Sequence, residues 1–144
     1  MNAQFDLDFG DASHGGIFFV TSDDLEPLAE AAGMQGLRVC RLDLAEYHDR
    51  EALFDQLTVT LRLPPDFGRN WDALADSLRD LSWLKAPGYI LLFDHAEGMR
   101  DSNEEDFDAL LDILEEAVDF WQDAGAPFFV FFALPESAFD ETDT

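Results

Sequence analysis

The sequence predicts an α/β fold: a single layered domain with about four mainly parallel strands and flanking helices. Three observations carry this. The chain has 144 residues, which suits one domain. Short apolar runs alternate with stretches of helical periodicity in the order β-α-β-α-α-β-α-β. The last three strand candidates read as apolar on both faces, as strands covered by helices on either side do. Helices between consecutive strands favour parallel pairing through right-handed crossovers. There is no internal repeat, linker or low-complexity segment.

Residues 1–15 mix Asp, Gly, Ser and Asn with isolated Phe and read as a loose leader. The domain is expected over 16–134. Gly16-Ile17-Phe18-Phe19-Val20 is a short apolar run, read as a buried strand. Thr21-Ser22-Asp23-Asp24 supplies capping residues for a helix marked by Leu25, Leu28, Ala29 and Ala32, which ends at Gly33 or Gly36. Leu37 to Leu44 alternates loosely and reads as the second strand. Asp49 can cap a helix whose apolar positions are Leu53, Phe54, Leu57 and Leu61. That helix must stop before Pro64-Pro65. A short helix follows from Asn70. Pro87-Gly88 starts the third strand, Tyr89 to Phe93, and Asp94 to Gly98 reads as a loop at its end. Glu104 to Asp123 is the longest helix, with Phe107, Leu110, Leu111, Leu114, Val118 and Trp121 on one face, and Gly125-Ala126-Pro127 ends it. Phe128 to Phe132 is the fourth strand. Residues 135–144 form a polar, acidic tail that reads as frayed.

Charge narrows the function classes. There are 32 acidic residues against 8 basic ones, a formal net charge of −24, and the chain is still 47% hydrophobic. It can therefore bury a core and is not a disordered acidic tail. Nucleic acid and anionic membrane would be repelled, because binding them needs clustered Lys and Arg. A cationic partner would be attracted and steered. No apolar run reaches the roughly 18 residues of a membrane helix. The N-terminus lacks a basic region followed by an apolar stretch, and the one cysteine, Cys40, permits no intramolecular disulfide. A cytoplasmic location is expected, with Cys40 a plain core residue. Charge alone can also serve solubility or adaptation to salt.

The stretch from Pro64 to Leu78 draws the most attention. After two prolines and a glycine corner, Asn70 is placed to cap a helix with an apolar face of Trp71, Leu74, Leu78 and Leu81. Asp72, Asp76 and Asp80 recur every fourth residue, so on a continuous helix they stack along one side. Like charges at that spacing cost roughly 0.2–0.5 kcal/mol per pair. Arg69 and Arg79 lie three residues from Asp72 and Asp76 and can partly neutralise them. The helix dipole alone would justify Asp72, in the first turn, but neither Asp76 nor Asp80. Spacing by itself leaves open a solvated face and a binding face. Carboxylates a turn apart, about 6 Å by the helix rise, roughly match successive phosphates of a nucleic-acid backbone.

Other chemistry finds little support. No Gly-rich phosphate loop is present, and one cysteine with scattered His14, His48 and His95 makes no zinc site. Carboxylates four apart on a helix supply only one side of a metal's coordination shell. No metal and no cofactor is expected. Asp94-His95 at a strand end could serve acid/base work, though an ordinary polar loop accounts for it as well.

Phe67-Gly68-x-Asn70-x-Asp72-Ala73-Leu74-x-Asp76-x-Leu78 closely resembles the signature of the barstar family of ribonuclease inhibitors, in order and in spacing. The later strand, long helix and last strand continue the likeness, which covers about residues 37 to 133. The strand and helix at 17–33 look like an N-terminal addition, as in longer bacterial barstar-like proteins. The resemblance implies a non-enzymatic, cytoplasmic inhibitor, monomeric before binding, that lays this helix and its preceding loop into the active site of a cationic ribonuclease. It implies that Asp76 takes the place of a substrate phosphate and that Asp72 makes a second contact. Gly68 then allows close backbone approach, Asn70 opens the helix and Trp71 is an apolar contact. Asp80 extends the acidic stripe. Asp66 and Ala75 stand where the family pattern has aromatics. In the long helix a direct count puts Phe120 where an acidic contact belongs, and a one-residue slip puts Asp119 there.

The leading expectation is therefore a ribonuclease inhibitor or immunity partner, of the toxin–antitoxin kind, acting as a phosphate mimic. Alternatives from other classes are an acidic binding module for another basic protein, such as a non-nuclease toxin or a regulator, and an enzyme built around Asp94 and His95. A deep pocket at the strand ends would favour the enzyme, and a flat acidic face would not.

Overall fold

The computed structural model describes residues 8–45, 47 and 49–140. Residues 1–7 and 141–144, together with Glu46 and His48, lie outside them. Four strands form one parallel sheet: β1 (Gly16–Thr21), β2 (Arg38–Asp43), β3 (Tyr89–Asp94) and β4 (Phe128–Leu134), in the order β1-β4-β3-β2. Among the described residues six α-helices flank it: α1 (Leu25–Met34), α2 (Arg50–Leu61), α3 (Trp71–Leu78), α4 (Ala96–Ser102), α5 (Glu104–Ala124) and α6 (Glu136–Asp140).

The strand order explains the layering. From β1 the chain crosses to the far edge at β2, then walks back through β3 to β4. With right-handed crossovers, reversing the direction of travel puts the connecting helices on opposite faces. Accordingly Leu25, Leu28 and Ala32 of α1 pack with Ile90, Leu92, Phe129 and Phe131 on one face. Helices α2 to α5 cover Leu91, Phe93, Val130 and Phe132 on the other. The N-terminal strand and helix thus lengthen the sheet by one edge and close its second face.

Burial sorts the strands by place. β3 and β4 are central, and every residue but Asp94 is buried. β2 is an edge, so it buries only alternate residues, and the expectation that it is apolar on both faces does not hold: Val39 is exposed, and Arg41 reaches out to Asp94 and Glu26. Cys40 is buried. Stacked rings tie the central strands together, with Phe93 and Phe132 centroids 4.7 Å apart.

Local signals set the helix ends. The Asp49 carboxylate accepts from the Ala52 amide at 3.0 Å, and the Asn103 side chain from the Asp106 amide at 3.0 Å. Gly125, at φ 81°, closes α5 in the left-handed conformation that favours glycine. The segment Asp94–Gly98, expected as a loop, instead leads into α4. Its signal is weak because only Ala96 and Met99 are buried and a glycine interrupts it. That glycine has a reason: a Cβ on Gly98 would come within 2.5 Å of the Leu44 carbonyl.

Residues 8–15 are held down rather than loose. Phe9 is buried with its ring 4.8 Å from that of Phe129, and Ala12–His14 form a 3-10 turn capped by Asp11. Part of the expected frayed tail, Glu136–Asp140, is α6. Among the described residues no helix is long and apolar enough to cross a membrane.

Candidate functional site

The candidate site is built on α3 and the loop that leads into it. Phe67 and Trp71 both set their rings edge-on against Phe54 of α2, at 5.8 and 5.3 Å. Leu74 and Leu78, one turn apart, are fully buried. Each such leucine is worth about 1.5–3 kcal/mol on leaving water, so the inner face of this short helix is firmly seated. The Asn70 side-chain oxygen, Oδ1, accepts from the Ala73 backbone amide at 2.7 Å, which makes Asn70 the N-cap, as expected. The Asn70 side-chain Nδ2 also donates to the Gly68 carbonyl at 3.3 Å. A Cβ on Gly68 would press to 3.2 Å on that of Ala73, so glycine lets the loop lie close against the first turn. At the other end, the Trp121 indole of α5 donates to the Leu78 carbonyl at 2.7 Å and satisfies an end-of-helix acceptor.

Seating the inner face leaves the outer one to solvent. Gly68, Asn70, Asp72, Asp76 and Asp80 are all exposed, while Trp71 is half-buried. Asp72 and Asp76 lie one turn apart on α3. Asp80 does not continue the stack: α3 ends at Leu78, and Leu81, at φ 50°, turns the chain so that its own side chain enters the core. The three-carboxylate spacing expected from the sequence therefore reduces to two on the helix and one in the turn beyond it.

The neighbouring arginines divide unequally. Arg69, at φ 57°, donates to Glu51 at 2.9 Å and Asp55 at 2.6 Å, pinning the loop to α2 and leaving Asp72 without a partner among the described residues. These bonds, to Glu51 first, raise its pKa further. Arg79 does reach its target, donating to Asp76 at 2.7 Å and to Glu116 of α5 at 3.1 Å. Asp76 thus enters an exposed ion-pair network. Glu116 joins the site without any local signal, since it lies 37 residues from Arg79 in sequence.

Helical spacing puts the two α5 candidates on different faces. Phe120 follows Glu116 by one turn, on the face towards α3, and is 41% exposed. Asp119 follows Glu115 and lines a groove with Ile17 of β1. The rim of the α3 face is thus apolar at Phe120 and acidic at Glu116.

The strand-end residues Asp94 and His95 are drawn apart. Arg41 clamps Asp94 at 2.8 Å, whereas His95 bonds Asp43 at 2.9 Å. That bond raises the His95 pKa. The adjoining cavity, between Ser22, His95, Glu97 and Pro135, holds about 110 Å³. Among the described residues no cluster of His, Cys, Asp and Glu could hold a metal ion.

No curated protein matches this chain. The sequence model of one family does, the Barstar family (barnase inhibitor), over residues 37–133, which take in β2 to all but the last residue of β4 and the whole of α3. With that match covering more than half of its length, the chain belongs to the barstar family.

Proposed function

We propose that this protein is a cytoplasmic, monomeric inhibitor or immunity partner of a cationic ribonuclease. It blocks the enzyme's active site with α3 and the loop before it. The observation that carries this reading is Asp76: a carboxylate 78% exposed on a helix whose opposite face is locked into the core. Aspartate is short, so its charge is held near the helix axis with little entropy to lose on binding. A site built for phosphates offers several Arg and His donors, and a carboxylate accepts from guanidinium in a charge-assisted, often bidentate, bond. In this reading Asp76 stands in for a phosphate and Asp72 supplies a second anion one turn away. Asp80 adds charge at the rim, Trp71 gives the apolar contact, and Gly68 and Asn70 bring the loop backbone within reach. Residues 16–36 support the sheet and take no part in that contact. The protein has no catalysis of its own. The net charge of −24 steers the encounter.

The test is one-to-one binding to a barnase-type ribonuclease, measured against salt, with Asp76→Ala beside the parent. The expected result is tight binding that weakens with salt and falls at least a hundredfold in the variant, with the melting temperature little changed. Equal binding by parent and variant would remove Asp76 from the role. The second reading, an acidic module for some other basic protein, rests on Asp66 and Ala75, which depart from the family's aromatics at the edge of this same face. Capture of a partner from the native cell separates the two, with Asp76→Ala as the control.

A further inference from the structure

The two edges of the sheet are finished differently. β2 carries Arg38, Arg41 and Asp43, charges of the kind that keep an edge from pairing with other chains. β1, at the opposite edge, runs Gly16-Ile17-Phe18-Phe19-Val20-Thr21 with neither a charge nor a proline. Among the described residues its only strand partner is β4. Its outer backbone groups are therefore paired with no strand among the described residues and offer a ladder to a further one. Phe19 stacks on Phe132 at 5.6 Å yet is 45% exposed, so its outer side has no cover. Between β1 and α5 runs a groove of about 360 Å³ lined by Ile17, Val118, Glu115 and Asp119.

We infer that the β1 edge is a second docking site, which takes an extended basic segment of a partner protein as a fifth strand. Side chains alternate along a strand. Those on the α5 side of an added strand would lie over Ile17 and Phe19, with their ends toward Glu115 and Asp119. Lys or Arg suits both requirements, because the aliphatic stem covers apolar surface while the head meets a carboxylate. A second copy of this chain does not suit them. It would bring the same acidic wall, and another net charge of −24, against this one. The site is separate from α3, because Glu116 points to α3 and Glu115 with Asp119 to β1.

The test uses the full chain, isotope-labelled for NMR, at about 0.15 M salt. The probe is an end-blocked peptide of about eight residues alternating arginine and valine, compared with one alternating glutamate and valine. The arginine peptide should shift the Gly16–Thr21 amides and slow the exchange of those that point away from β4, and should leave Trp71–Leu78 unmoved. The glutamate peptide should do neither. Glu115→Lys with Asp119→Lys, both exposed positions, should weaken the effect about tenfold. Three results overturn the proposal: the outward-pointing β1 amides already protected in dilute protein without peptide, the double variant binding like the parent, or perturbation centred on α3. The first would assign the edge to residues 1–7 or to a second copy.

Discussion

Arg79→Met tests how the central carboxylate is kept. Arg79 donates to Asp76 at 2.7 Å and to Glu116 at 3.1 Å, with side-chain exposures of 35%, 78% and 62%. An exposed pair of this kind is worth about 0–1 kcal/mol. A partner's guanidinium that takes Asp76 must displace Arg79 or share the carboxylate with it. Removing Arg79 frees Asp76 and adds one negative charge to the −24 of the parent. Methionine keeps most of the apolar stem. The variant should therefore bind a cationic ribonuclease more tightly, by a factor of up to about five if the full 1 kcal/mol is released. Most of the gain should be in association rate and should fade as salt is added. Stopped-flow association and calorimetry at low and high salt measure both parts, and thermal melting should move by only a few degrees. Binding weaker than the parent by more than about threefold, in a variant that melts normally, would refute this reasoning. It would mean that Arg79 aims Asp76 instead of competing for it.

Further outcomes follow from single contacts. Tyr47→Phe removes the hydroxyl that donates to Asp106, the one buried charged side chain among the described residues, and should cost about 1.5–3 kcal/mol in urea unfolding; a loss under about 0.5 kcal/mol would mean that Arg50, 3.5 Å away, takes over. The His95–Asp43 bond raises the His95 pKa above 6.5, so its contribution is complete below the unfolded value and is lost as pH rises through the folded one. His95→Gln should flatten the fall in stability just above about pH 6.5, and an unchanged slope would count against the pair. Burial holds the Cys40 thiol up at about 11, so native protein should resist thiol reagents until it unfolds; rapid native labelling would contradict this.

Much of the α3 site is local and therefore visible in one dimension. Asn70 caps because a side-chain acceptor precedes a helical apolar period, and Leu74 and Leu78 face inward by that same period. Those facts oblige Asp76 to face out. The family signature reads the same few residues. What the spacing did not carry was the end of α3, because Leu81 leaves the helix for the core and takes Asp80 off the stripe. α4 was hidden for a similar reason, since seven residues with a glycine inside make a helix only when the sheet ends and the Leu44 carbonyl are there to pack against.

The sequence by itself determined the alternation of elements, the caps, the buried central strands and the exposed acidic face, since each depends on side chains a few residues apart. Only the tertiary structure decided the strand order, with β1 beside β4 and away from β2. It also decided that Arg79 is shared between Asp76 and Glu116 while Arg69 turns away to Glu51 and Asp55. These are meetings between residues far apart in the chain. The packing of α3 on α5 and of β1 on β4 brings them together, and no local pattern carries that information.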